Sequence, residues 1–467
     1  VRGFIRKAQG TAIVARNLIG QAGLPYLPDN ELHEIRDRRV SEIVGYAART
    51  VPFYRDFFQS EGIDPAGISC AEDLERLPLI DKQTVREQPE RFLSTSSLAR
   101  SGMGVWTSGT TGMPLQVWHD RRSLLANSAY NRRIRTAIAS LLGTGSVYEE
   151  LRVGQPDSML NQLPGFLDQN RFMPFPRRHI FQSLYEPLKE VVRAINVHRP
   201  EVIACSYGSY LELLFRTVRE RGLEMHVPRV LIHYSDAMSG DGTRLIEEEF
   251  GIAVVSEYSA TEAFKIGFVC EERCGFHCHD DLTHVRIVDV DGRSVPVGQE
   301  GEVVISNLVN HGTVLLNYRL GDVAALSDEP CRCGRTLRLL SLLEGRVSDI
   351  IRLGDGSSVH SGRVRVACNQ RMHQDSQGLL QYQLIQRGMD VFEFRLATVG
   401  LEAFDRTVGG FVSDLQAILG PDVTIEALRF ADSLPPGPGG KTRAVIADLG
   451  RHNGDLLRRR HRSEGGM

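Results

Sequence analysis

The sequence predicts an α/β protein with a large N-terminal domain, residues 1–345, of mixed sheets and a β-rich segment, and a small α+β domain, residues 346–467. Three observations lead there. From about residue 178, short apolar runs alternate with amphipathic stretches. "EVIAC", "RVLIHY" and "IAVVSEY" read as buried strands, and "SYLELLFRTVRERG" and "GDGTRLIEEEFG" as the helices between them. Alternation at this spacing implies βαβ units and a parallel sheet. After Cys278 the texture changes, and "HVRIVDVDGRSVPVGQEGEVVISNL" carries β-branched runs around an Asp291-Gly292 pair, the signature of a hairpin region. Beyond residue 346, "YQLIQ" and "VFEFRLATV" alternate as strands, so the two parts meet near Gly345–Asp349.

The first twenty residues are basic and amphipathic (Arg2, Arg6, Lys7, Arg16) without a continuous apolar core, and read as a surface helix. A transit peptide is the alternative, because no acidic residue precedes Asp29. Residues 30–60 follow helical spacing through Ile35, Val40, Ile43 and Ala47, with Pro52 as a local breaker. Leu184, Leu188, Val191 and Ile195 line one face of a helix that ends before Pro200, and Gly222 stops the next. Hydrophobic residues make up 42% of the chain and charged ones 24%, ordinary for a globular protein. Lys and Arg (55) nearly balance Asp and Glu (58), a net charge of -3 that offers bulk attraction to neither nucleic acid nor membrane. The basic run Arg458–Arg462 reads as a solvated tail. No apolar run reaches the length of a membrane span, and a cytoplasmic protein is expected.

Five of the eight cysteines fall between 270 and 333. Without a secretory signal, such a cluster favours metal over disulfides. "CEERCGFHCHD" and "CRC" offer thiolates and imidazoles from two places, and three thiolates with one imidazole close a tetrahedral zinc site. Four protein ligands leave no open position, so the zinc is structural; a catalytic zinc and metal-free thiols are the alternatives.

"VWTSGTTGMPLQV" concentrates Thr107, Ser108, Gly109, Thr110, Thr111 and Gly112 in six positions. Glycines let the backbone N–H groups approach an anion, and hydroxyls donate to its remaining oxygens, so the loop suits phosphate. It lacks the lysine of a Walker loop, and "PPGPGGKT" has Pro435 where such a loop needs its first glycine.

"TSGTTGMP" resembles the signature loop of adenylate-forming enzymes, the acyl-CoA synthetase superfamily, and four further elements follow in that family's order. They are "SEYSATE" ending in Thr261 and Glu262, "NYRLGD" ending in Asp322, "EGRVSD" with Arg346, and "GPGGKTR" with Lys441. "RTVPFYRDFFQSEGIDPAGISCAEDLERLPLIDKQTVRE", "CRCGR" and "YQLIQ…FEFRL" resemble the phenylacetate–CoA ligase-like branch. The resemblance implies a two-step reaction: an organic, aromatic carboxylate attacks the α-phosphate of ATP, and the thiol of CoA then attacks the acyl adenylate. It assigns Thr107–Gly112 to the β- and γ-phosphates, Glu262 to Mg²⁺, Thr261 to the α-phosphate and Tyr258 to adenine. Ser235 and Asp236 would line the base pocket, Asp322 would accept the ribose hydroxyls, and Arg346 would reach phosphate or ribose. Lys441 would bridge the carboxylate and the α-phosphate, carried by a small domain that turns between half-reactions. The zinc ligands implied are Cys270, His277, Cys331 and Cys333, with Cys274, Cys278 and His279 as substitutes.

The chain departs from the family two residues after Arg346, where Ser348 replaces the usual Asp or Lys. Other acceptors therefore stay open: a carrier-protein thiol, an amine or a hydroxyl. A nucleotide- and zinc-binding protein without turnover is the rival from another class, and a homodimer is an open alternative to a monomer. His119, His233 and Trp106 read as packed core residues, and Cys205 and Cys368 as small buried hydrophobes.

Overall fold

The computed structural model describes residues 2–107, 115–145, 147–156, 158–172, 179–346, 350–437 and 441–447. Its contacts divide the chain into two units. The first holds Val1–Gly208, His226–Ala237 and Gly251–Leu343, and the second Ser209–Met225, Met238–Phe250 and Glu344–Met467. Two segments expected in the large domain therefore group with the C-terminal part.

In the first unit, the basic N-terminal stretch forms a helix, Arg2–Leu18. Helix Asp29–Thr50 opens on Asp29 and Glu31, acidic groups that suit the positive end of the helix dipole. Pro52 does not merely break it: Val51 is extended, and Pro52 starts a second helix, Pro52–Glu61, where a missing N–H costs nothing. Gly62, at φ 62°, closes that helix in the left-handed conformation.

Strands β1 (Met103–Trp106) and β2 (Gln116–His119) form an antiparallel hairpin. Next come β3 (Glu150–Gly154), β4 (His179–Ser183), β5 (Val202–Cys205), β6 (Val230–His233) and β7 (Ala253–Tyr258). The short strands β8 (Gly267–Val269) and β9 (Phe276–Cys278) precede β10 (Thr283–Val288), β11 (Gly301–Asn307), β12 (Tyr318–Ser327) and β13 (Leu339–Arg346). Among the described residues, β3 to β13 form one 11-stranded sheet in the order β10-β11-β12-β13-β9-β8-β7-β6-β5-β3-β4. The half from β4 to β7 is parallel, as the βαβ pattern predicts. From β7 onward, β8 and β9 run antiparallel, and so do β10, β11 and β12 with one another.

The two halves have separate cores. Val40, Ile43, Val44 and Ala47 of Asp29–Thr50 pack with Val285, Ile287, Val303 and Ile305 of β10 and β11. Ile134, Ile138 and Leu142 of helix Arg132–Leu142 pack with Val202, Ala204, Val230 and Ile232. Each of the Val, Ile and Leu side chains contributes about 1.5–3 kcal/mol on burial.

Trp106 is not a core residue; it is 60% exposed. Paired residues on a ribbon share a face, and Trp106 pairs with Gln116 while its neighbour Val105 pairs with the fully buried Val117. The period of two therefore turns Trp106 outward. The hairpin is held by backbone at close range. Thr313 N donates to the Trp118 carbonyl at 2.8 Å, and a Cβ on Gly312 would stand 2.2 Å from that same oxygen, so only glycine fits.

In the second unit, β14 (Ile350–Arg352) and β15 (Ser358–His360) form a small ribbon. Strands β16 (Leu379–Gln386), β17 (Val391–Thr398), β18 (Thr424–Phe430) and β19 (Val445–Ile446) form a four-stranded sheet in the order β18-β17-β16-β19. Helices Ser361–Gln374 and Leu401–Leu419 cover it through Val364, Cys368, Met372, Phe411 and Leu415. Arg216 lies wholly buried between Glu212 and Asp241, and His373 Nδ1 stands 2.7 Å from Asp241 Oδ1.

The deepest ion pair of the first unit is Arg133–Asp281, bidentate at 2.7 and 2.8 Å and out of solvent. Gln21 Oε1 and His279 Nδ1 take two more of the guanidinium's N–H groups, each at 2.9 Å. Burial alone would raise the Asp281 carboxyl, but Arg133 and Arg39 hold it well below the ordinary range. A carboxyl so depressed contributes stability above its unfolded value near ~4, lost as pH falls through the folded one. Asp281→Ala strands the Arg133 charge and should cost about 3–5 kcal/mol, read as a lowered urea midpoint by circular dichroism. An unchanged midpoint would remove the pair from any part in stability.

Candidate active site

The candidate phosphate loop is the tip of the β1–β2 hairpin. Ser108, Gly109, Thr110, Thr111 and Gly112 lie outside the described residues; the neck of the loop is described. Thr107 is buried, its N–H donates to the Leu115 carbonyl at 2.9 Å, and its hydroxyl accepts from Leu115 N at 2.9 Å. Thr107 thus closes the loop, with its hydroxyl turned to the opposite strand.

Thr261 and Glu262 sit on the turn from β7 to β8. Ile266 N donates to the Tyr258 carbonyl at 3.0 Å, closing the turn. Inside it, Ala263 N and Phe264 N both donate to the Ala260 carbonyl, at 3.1 and 2.7 Å. Phe264 takes φ 54°, a left-handed conformation that costs a non-glycine residue about 1 kcal/mol or more. Three side chains brace the turn. His119 Nε2 donates to the Thr261 carbonyl at 2.7 Å, Asn307 Nδ2 to the Glu262 carbonyl at 3.0 Å, and the Tyr318 hydroxyl to Glu262 Oε1 at 3.1 Å. Burial holds the His119 imidazole neutral, with a pKa lowered to about 4, and its ring stacks on Phe264 at 3.8 Å.

Asp322 lies on β12, and its Oδ2 accepts from the Tyr258 hydroxyl at 2.8 Å. The Tyr258 ring is itself buried, packed 5.9 Å from Phe276. Ser235 and Asp236 follow the carboxyl end of β6, the end of a parallel strand where open α/β sheets receive ligands. Ser235 N donates to the Ser206 carbonyl at 2.9 Å, and Asp236 Oδ1 accepts from Gly208 N at 2.6 Å. His233 is buried as expected, its Nδ1 facing the Asp236 carbonyl at 2.9 Å.

Of the remaining residues, Arg346 is the last of β13, and Ser348 lies outside the described residues. Lys441 belongs to the second unit, three residues before Ala444, whose carbonyl accepts from Leu384 N at 2.8 Å; the Lys441 carbonyl itself accepts from Gly437 N at 2.8 Å.

The cysteine segments converge in the first unit. Ligand atoms of Cys270, His277, Cys331 and Cys333 all lie within 4.8 Å of one another. Cys270 and Cys331 Sγ are 3.6 Å apart, and Cys333 Sγ is 3.3 Å from His277 Nε2. A tetrahedron built on zinc–sulfur and zinc–nitrogen bonds has edges of about 3.5–3.8 Å, so the donor set suits zinc. His277 Nδ1 faces the Leu337 carbonyl at 3.4 Å, which leaves Nε2 for a metal. Cys274, Cys278 and His279 stand apart: Cys274 is exposed, Cys278 is in the apolar core, and His279 bonds Arg133.

Sequence reading passed over the braces. Tyr318 lies inside the quoted "NYRLGD" element, so its motif was a signal. His119 and Asn307 gave none beyond standing beside strands.

No protein-family model matches the chain. A phenylacetate–coenzyme A ligase of Thermus thermophilus is 28% identical over 345 residues, 71% of this chain and 74% of that one. A phenylacetate–coenzyme A ligase of Pseudomonas putida is 23% identical over 312 residues, 66% and 68% of the two chains. Among solved structures, a 2-hydroxyisobutyryl-CoA ligase in its postadenylation state, bound to R3-HIB-AMP, shares the fold with a TM-score of 0.70 at 20% identity, over 94% of each chain.

The loop neck yields a prediction. Thr107→Val keeps shape but removes the acceptor for the buried Leu115 N–H, a loss of about 1–3 kcal/mol confined to the hairpin. Hydrogen exchange at Leu115 should speed up by roughly tenfold or more while the 11-stranded sheet keeps its protection. Equal loss of protection in both would refute a local role.

Proposed function

We infer that this chain, an adenylate-forming enzyme of the phenylacetate–CoA ligase-like branch, is an ATP-dependent, AMP-forming acid–CoA ligase. One observation supports the reading above the rest. Three stretches distant in sequence meet on one turn: His119 of the loop hairpin on Thr261, Tyr318 on Glu262, and Tyr258 on Asp322.

In this reading, residues 107–112 hold the β- and γ-phosphates through backbone N–H and hydroxyl groups, Thr107 by closing the neck. Tyr258 borders the adenine, Ser235 and Asp236 the base pocket, and Asp322 accepts the ribose hydroxyls while the Tyr258 hydroxyl fixes its orientation. Arg346 reaches phosphate or ribose, and Thr261 the α-phosphate. Glu262, a hard oxygen donor steadied by Tyr318, would hold Mg²⁺, which when bound neutralises charge on the departing pyrophosphate. Lys441 supplies the ammonium that offsets repulsion as the carboxylate attacks the α-phosphate. Pyrophosphate leaves, the thiol of CoA attacks the acyl carbon, and AMP departs.

The Cys270, His277, Cys331 and Cys333 set would hold a structural zinc, joining β8, β9 and the segment before β13. Thiolates kept for a metal agree with a reducing, cytoplasmic setting. Among the described residues, no helix is long and apolar enough to cross a membrane.

A panel of aryl and alkyl acids, with ATP and with or without CoA, tests the activity. At least one acid should release pyrophosphate and, with CoA, give a thioester and AMP. Pyrophosphate release without thioester would move the reading to another acceptor, and no release with any acid would end it. Lys441→Ala should lower pyrophosphate release at least ~100-fold with ATP affinity kept, by calorimetry; full activity in that variant would remove the lysine from the chemistry. Elemental analysis should find one zinc per chain, lost in Cys333→Ser with a fall in Tm. A metal-free wild type of unchanged Tm would refute the zinc.

A further inference from the structure

His119 joins two pieces of this site directly, the strand leaving the loop neck and the turn carrying Thr261. It ends β2, the strand that rises from the loop neck at Leu115. That strand is anchored at Trp118, whose N donates to Thr313 Oγ1 at 2.9 Å and whose carbonyl accepts from Asn310 Nδ2 at 2.9 Å. The residue after His119, Asp120, caps helix Arg121–Tyr130 by accepting from Arg122 N and Ser123 N, at 2.8 and 3.1 Å. His119 is thus set in a rigid frame, 1% exposed, and from there it donates to the Thr261 carbonyl.

The other end of this bond is a strained turn. Phe264, two residues past Glu262, holds its left-handed conformation under the imidazole stacked on it. Asn307 and Tyr318 hold Glu262, but among the described residues His119 is the side chain seen to hold the carbonyl of Thr261. A carbonyl can only accept, so Nε2 carries the proton.

We propose that His119 is a positioning residue for adenylation: its Nε2–H bond to Thr261 ties strand β2, which leaves the neck closed by Thr107 and Leu115, to the turn presenting Thr261 and Glu262. The inference rests on the acid-ligase reading above. Its physical content is that the loop neck and the turn carrying Glu262 keep one mutual geometry. Their displacement by about 1 Å costs on the order of 100-fold in rate.

Two variants of the full chain separate the bond from the stack. His119→Phe keeps a ring against Phe264 and removes the donor; His119→Gln keeps an N–H donor at comparable reach. Two readouts are used: kcat and KM for ATP in pyrophosphate exchange with the best acid of the panel, and the Mg²⁺ concentration that half-saturates ATP binding by calorimetry without acid. His119→Phe should lose about 30–100-fold in kcat, change KM for ATP less than about threefold, and need several-fold more Mg²⁺, with Tm near wild type. His119→Gln should stay within about fivefold on every measure. If His119→Phe folds poorly, His119→Leu takes its place. The proposal is overturned if the donor-less variant matches wild type, or if His119→Gln falls as far as His119→Phe. A wild type inert toward all acids would sink the ligase reading instead, and the Mg²⁺ dependence of ATP binding would still decide the coupling.

Discussion

The site depends on a change of direction in one sheet. Strand β7 is parallel to β6 on one side and antiparallel to β8 on the other, so the chain must reverse directly after Tyr258. A crossover helix would need a dozen residues; this reversal takes eight, 259–266, and pays with a left-handed Phe264. Because the reversal occurs at the carboxyl end of a parallel strand, its tip faces the edge where such sheets bind ligands. Thr261 and Glu262 are there for that reason. The hairpin strand β2, the end of β11 and the start of β12 then close around the turn and fix its carbonyls and its carboxylate.

Polar burial recurs through the first unit. Asp281 with Arg133 is taken out of water close to β9 and β10, and Asp280 with Arg338 and His284 is partly so. Glu257, on β7 itself, is paired with the buried Lys265 near the end of the turn. Such pairs add little net stability against apolar packing of the same volume, and their geometric demands are high. Here they flank the turn between β7 and β8 and the strands next to it, where a slip in register would move every side chain of the site.

Much of the fold was legible because its periods are clean. The β5, β6 and β7 runs are short, rich in β-branched residues and bounded by turns, and they lie in a parallel half-sheet whose strands are mainly apolar. The Pro52 signal marked the break in the right place, and the structure adds that the same proline, at a first helical position, starts the next helix. Trp106 was misplaced because size suggested burial, whereas register with Gln116 decides which face it takes. The division of helices Gly208–Arg221 and Gly240–Phe250 into the second unit had no local signal, as it arises from tertiary packing alone. At the site, motif order named Thr261, Glu262, Tyr258 and Asp322, which the fold brings together. It did not name His119 or Asn307, because a single buried histidine or asparagine looks the same in sequence whether it packs or braces.

The β1–β2 hairpin has a property that follows from its composition. The chain has two tryptophans, Trp106 and Trp118, and both lie on this ribbon, one largely exposed at the loop neck and one half-buried two residues beyond Gln116. All indole emission from the protein therefore originates within a few residues of the candidate phosphate loop. The molecule carries its own optical label where nucleotide is expected to arrive, and no dye is needed to follow that event in time.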